Sequence, residues 1–159
     1  MNILMIVMGL FALLAVGAYL AGAFSGPREK CANAYSEQPH PCGKIGRVFT
    51  TAMTSPYLLA KLADDGTASI CGTNDEPLGP CMDTPEVGER ATVLHLGAVS
   101  GTLSVVTSST TTIGERVYTF AGGQVTPNAA PGRWLVGRTL TAGGNGDVIE
   151  IAPLSPVQQ

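Results

Sequence analysis

The chain has 159 residues and a mass of 16.3 kDa, room for one domain or two very small ones. Nine Lys and Arg against twelve Asp and Glu give a formal charge of −3 and a pI near 5.2, which excludes the basic stripe a nucleic-acid binder needs. Charged residues reach only 13%, while 20 Gly and 11 Pro punctuate the backbone. That excludes a helical bundle and favours many short strands joined by turns.

Met1 to Phe24 carry no charged side chain, and 20 of these 24 residues are hydrophobic. As a helix they reach about 36 Å, enough to cross a hydrocarbon core of about 30 Å. Ser25-Gly26-Pro27 ends the segment, and Arg28, Glu29 and Lys30 follow as an interfacial charge cluster. Three readings stand open. Residues 1–24 are a transmembrane anchor, an apolar helix buried between subunits, or a cleaved secretory signal with Ala21-Gly22-Ala23 as its small-residue site. The signal reading lacks the Lys or Arg that normally precedes the apolar core. Gly17 with Ala21, and Ala18 with Gly22, repeat small residues four apart, which lets helix backbones approach closely. Arg28 and Lys30 favour a cytoplasmic flank, whereas disulfides favour an oxidising one, so orientation stays open.

Residues 25–44 form a linker holding Cys31 and Cys42, and Cys71 and Cys81 follow in the β region. No Cys-x-x-Cys occurs, so the knuckle of a structural zinc site is missing, and no metal site is expected. Two local disulfides, Cys31–Cys42 and Cys71–Cys81, are favoured because each pair brackets a turn-rich stretch. Each would constrain the unfolded chain by about 2–3 kcal/mol. Free thiols are the alternative.

From Ile45 onward the texture is β, with 45–159 as one domain. Thr92–Leu96, Leu103–Thr107, Arg116–Phe120 and Val148–Ile151 are strand candidates. Asp64-Asp65-Gly66, Ala121-Gly122-Gly123 and Gly143 to Gly146 read as tight turns. Tyr57 to Leu62 fits a strand or one helical turn. An internal repeat organises this region, with copies at 46–96 and 101–154. Pro77-Leu78-Gly79 matches Leu135-Val136-Gly137, and Gly88-Glu89 matches Gly146-Asp147, both at an offset of 58 residues. Halves of that size cannot bury a core alone. The expected fold is therefore all-β, a small barrel or sandwich of two similar halves, preceded by one hydrophobic α-helix.

Several pieces occur in an order shared with a known family. They are Gly88-Glu89-Arg90-Ala91-Thr92-Val93, Ile113-Gly114-Glu115-Arg116-Val117-Tyr118-Thr119, Gly122-Gly123-Gln124-Val125, Val136-Gly137-Arg138-Thr139-Leu140 and Gly146-Asp147-Val148-Ile149-Glu150. Through them residues 88–156 closely, and 45–87 loosely, resemble phage capsid cement, or head decoration, proteins. The resemblance implies a small all-β protein bound in many copies to the outer face of an icosahedral shell, as homotrimers at local threefold positions. Its partners would be the major capsid protein and itself, on the virion surface, with a lipid bilayer reached through residues 1–24. The apolar N-terminus and the cysteine loops depart from that family.

No Gly-x-Ser-x-Gly, His-Glu-x-x-His or Walker loop occurs, and only two His are available, so neither an enzyme nor a cofactor is expected. Asn74-Asp75-Glu76 reads as a solvated loop, and His95 as a half-buried strand residue. Trp134 with Arg116, Arg133 and Arg138 are the interface candidates, because Trp and Arg are enriched in binding hot spots and the arginines suit an acidic capsid surface. Core packing is the alternative role for Trp134. A membrane-anchored bacterial envelope protein, whose β domain binds a partner or glycan, is the alternative function.

Overall fold

A computed structural model describes residues 43–159. The expected helix 1–24, its small-residue stripe Gly17, Ala18, Ala21 and Gly22, and the pair Cys31 and Cys42 lie outside the described residues. Among the described residues no helix is long and apolar enough to cross a membrane.

The fold is all-β, with one sheet curled into a half-barrel. The first half contains β1 (Lys44–Val48), β2 (Leu59–Leu62), β3 (Ala68–Ile70), β4 (Gly79–Pro80) and β5 (Arg90–Leu94). The second half contains β6 (Leu103–Val106), β7 (Arg116–Thr119), a 3-10 turn (Ala121–Gly123), β8 (Val125–Thr126), β9 (Trp134–Thr139) and β10 (Val148–Gln158). The segment that sequence left open between strand and helical turn is a strand from Leu59, entered through Tyr57 at φ 66°.

Both halves follow one pairing scheme. β1 pairs antiparallel with β5 through Ile45↔Val93, Gly46↔Thr92, Arg47↔Ala91 and Val48↔Arg90. β6 pairs with β10 through Leu103↔Ile151, Ser104↔Glu150, Val105↔Ile149 and Val106↔Val148, each residue 58 further on. Lys61↔Ser69 and Leu62↔Ala68 become Tyr118↔Thr126 and Thr119↔Val125, a shift of 57. Leu59↔Pro80 and Ala60↔Gly79 become Arg116↔Arg138 and Val117↔Gly137. The single bridge Cys81↔Val93 becomes Thr139↔Ile151, one rung of a full ladder. Where the shift changes from 57 back to 58, the β7–β9 ladder has an irregular register between Val117 and Tyr118. A bulge of this kind absorbs one extra residue.

The halves differ in how their strands join. β6-β10-β9-β7-β8 is one five-stranded sheet, whereas β1-β5 and β3-β2-β4 are two. Pro80 has no N–H to donate to a ladder, while Arg138 at the matching position has one. Two apolar clusters interlock. Phe49, Met53, Ala60, Ala91 and Val93 pack with Val106 from the second half. Leu103, Val117, Val136, Ile149 and Ile151 pack with Leu59, Cys71 and Leu96 from the first. Thr107, Thr119 and Thr139 are buried, but each hydroxyl donates to a backbone carbonyl, so none is left unsatisfied.

The expected Cys71–Cys81 disulfide is corrected: both cysteines are free and buried. The Cys71 N–H donates to Leu59 O, and the Cys81 N–H to Leu58 O, so the two residues flank β2 from opposite sides. Two strand spacings are about 9.5 Å, beyond the roughly 7 Å Cα separation a disulfide can span. Burial pushes the Cys71 thiol from an ordinary 9.0 up to about 12, and Cys81 up to about 11.

A Cβ on Gly79 would sit 1.7 Å from Leu94 O, and the matching Cβ on Gly137 2.6 Å from Ala152 O. Gly79→Ala is expected to cost roughly 3 kcal/mol or more, against about 1–2 kcal/mol for Gly66→Ala, whose Cβ position is open; thermal unfolding compares them. Burial keeps Cys71 and Cys81 protonated in the fold. Thiols protonated in the fold but ionised in the unfolded chain stabilise fully below pH 9 and lose that contribution as pH rises towards 11 to 12. Urea unfolding at stepped pH should show stability falling across that window, and Cys71→Ser with Cys81→Ser should flatten it. Unchanged slope in the double variant would disprove the assignment.

Candidate interaction surface

β7 and β9 place Arg116 and Arg138 directly opposite each other on the outer face of the five-stranded sheet. Both side chains are exposed. Buried Val117 and Thr139, each one residue from an arginine, face the core, so alternation sends Arg116 and Arg138 outward. Arg138 Nη1 donates to Gly114 O at 3.0 Å, which fixes one arm of its guanidinium. Among the described residues the one ion pair is Lys61–Asp75, at 2.9 Å, so neither arginine has a carboxylate within ion-pair distance. Like charges at directly opposed positions destabilise a strand pair. The sheet therefore carries two like charges side by side with no carboxylate offsetting them among the described residues.

Ala152 on β10 is the next lateral neighbour, across from Arg138. Ile113 (72% exposed), Leu140 and Val148 present apolar surface at the Val148 end of the same sheet, and Leu154 at the other. Cationic and apolar groups side by side suit a protein contact better than a small-molecule site.

The other two sequence candidates are placed elsewhere and work within the chain. Arg133 lies over the Phe120 ring, 5.2 Å from its centroid, and its Nη1 donates to Asn128 O at 2.5 Å. Trp134 donates through Nε1 to Asn74 O at 3.2 Å, and its backbone N–H donates to Thr119 Oγ1 at 3.0 Å. Trp134 thus fastens the first half's loop to the second half. Of the four candidates, the structure brings together Arg116 and Arg138 only.

Sequence reasoning missed an acidic counterpart. A cleft of about 330 Å³ on the first half is lined by Lys61, Leu62, Asp64, Asp75 and Glu76. The Lys61–Asp75 pair neutralises itself, which leaves Asp64 and Glu76 as net negative charge, with Asp65 next in the turn. Asp65 Oδ1 accepts from Thr67 N and Oγ1, and the hydroxyl holds this carboxyl below its usual range. The imbalance was countable: residues 44–96 hold four Lys and Arg against seven Asp and Glu, and residues 101–159 three of each.

A second cleft, of about 300 Å³, is lined by Leu62, Glu76, Leu78, His95 and Pro156. His95 Nδ1 accepts from the Gly97 N–H, and no serine, threonine or cysteine lines the cleft, so nothing there pairs a base with a nucleophile. Among the described residues no three His, Cys, Asp or Glu side chains gather as a metal site.

No protein family's sequence profile and no curated protein matches the chain. The fold is similar to the crystal structure of the head fiber gp8.5 N base in bacteriophage phi29, with a TM-score of 0.54 and 15% identity. The match covers 70% of this chain and 97% of that one.

The charge pair carries its own test. R116E creates an opposite-charge pair with Arg138 and is expected to raise stability by about 0.2–1 kcal/mol in urea unfolding. A loss of stability would mean that Arg116 serves the fold rather than a contact.

Proposed function

We propose that this chain is a structural component of a phage virion, held in many copies on the outside of an icosahedral head. The observation that carries this reading is the fold likeness: the β domain corresponds to nearly the whole of the phi29 head fiber base, at 97% coverage of that chain. The ordered run of motifs from Gly88 to Glu150 resembles head decoration proteins and supports the same class. The exposed apolar groups Ile113, Leu140 and Val148 suit attachment to a protein surface, with the major capsid protein as the partner. The apolar segment 1–24 supplies a tether to a neighbouring subunit or to lipid. No catalytic step is needed. A ligand that binds only the assembled shell stabilises it by mass action.

Virions purified on a density gradient, then resolved by denaturing gel and peptide mass spectrometry, should contain the chain in many copies per particle. Particles lacking it should release their genome at a lower temperature. Absence of the chain from purified virions, with recovery in the host envelope instead, would refute the reading.

A further inference from the structure

The contact between the two halves is one-sided. In the first half, Leu59, Pro80 and Leu94 form a lateral row across β2, β4 and β5. Leu59 is fully buried in the cluster that holds Val105, Val117 and Val125, and Leu94 packs against that cluster. β4 lies against β6. The turn Ala121–Gly123 presses onto Leu59 at the β2 end of this row: a Cβ on Gly123 would lie 2.7 Å from Leu59 O, and the Gly123 N–H donates to Cys71 O at 2.8 Å.

The matching groups at the other ends are unfilled. The row that corresponds to Leu59, Pro80 and Leu94 is Arg116, Arg138 and Ala152, with both arginines exposed. The turn that corresponds to Ala121–Gly123 is Asp64–Gly66, where a Cβ on Gly66 meets nothing within 4 Å. A twofold relation between the halves would have brought this row and this turn together. Their separation makes the relation head-to-tail, which leaves one row and one turn unmatched. Beyond the row, Leu96 is 4% exposed and its counterpart Leu154 is 39% exposed.

The unmatched groups are opposite in charge. We propose that the Arg116–Arg138 row receives the Asp64–Asp65 turn of a second copy of this chain, in the geometry by which Leu59 already receives the turn Ala121–Gly123. Glu76 adds a third carboxylate beside that turn. The contact inside the chain is permanent and apolar. The contact between chains is charged on both sides, so each face stays soluble when empty. Repetition yields a closed ring or an open row of molecules, according to whether the rotation closes. This inference rests on the pairing scheme and not on the virion reading.

Sedimentation velocity of the full chain in nonionic detergent tests it. Wild type should self-associate, and more weakly as salt rises. R116E with R138E, and separately D64K with D65K, should each weaken association roughly tenfold or more. Equal mixtures of the two variants should restore it, because each supplies the charge the other lacks. Should a reversal fail to fold, R116S with R138S gives a milder loss in the same direction. A monomeric wild type, reversals that associate like wild type, or mixtures that fail to recover would each overturn the proposal. Loss of the R116E/R138E chain from virions with self-association intact would assign the row to the shell and also overturn it. A chain that self-associates as described but is absent from virions would support this contact and refute the proposed function alone.

Discussion

Leu59 is hidden from water because Val105, Val117 and Val125 of the other half cover it. Without that cover, the first half would be a two-stranded ladder and a three-stranded one, joined only by the isolated bridges Cys81↔Val93 and Phe49↔Ala68. A unit so small buries too little apolar surface to offset the entropy of ordering its loops. The second half is the better sheet, but Val106 belongs to the first half's cluster as Leu59 belongs to the second's. Exchange of these side chains makes one cooperative domain of two similar parts. Trp134 and Thr119, bonded to Asn74 and Thr73, hold the join from its polar side.

The parts of the fold legible in sequence are those where backbone approach leaves no choice of residue. Gly79 and Gly137 lie 58 apart because each lets a carbonyl, Leu94 O or Ala152 O, come where a side chain would sit. Gly88 and Gly146 share the same offset and a positive φ, at 86° and 85°. Such positions punctuate the chain strongly enough to read without an alignment. Strands of two or three residues did not declare themselves. Gly79–Pro80, Ala68–Ile70 and Val125–Thr126 are too short for alternation to rise above chance, and tertiary pairing alone makes them strands. β10 runs on to Gln158 through Pro153 and Pro156, which local propensity argues against, because its irregular register with β9 between Pro153 and Val157 accommodates them.

Residue chemistry was legible at the interface, and adjacency was not. The arginines could be named as binding residues from type alone, yet which two meet depends on the β7–β9 register, which shifts between Val117 and Tyr118. Arg133 lies one residue before β9 and turns inward to Phe120. The cysteines show the converse error. Closeness in sequence suggested a bond between Cys71 and Cys81, but β2 is threaded between them, and strand order cannot be read from loop length.

Comparison of the two halves separates what a position owes to the fold from what it owes to its surroundings. Ala60 and Val117, or Val93 and Ile151, stay apolar because both face the interior in either half. Leu59 and Arg116 occupy the same place in the pairing scheme yet differ completely, because one is covered by its own chain and the other is not. An uncovered leucine row at the end of the molecule would be an aggregation surface. Arginine keeps that end hydrated while preserving a shape for which the fold already contains a partner. A contact of this kind is reversible in solution and is strengthened further when copies are held close together. The charge on the row thus makes its occupancy depend on local concentration, whereas the buried leucine in the other half makes the same geometry unconditional.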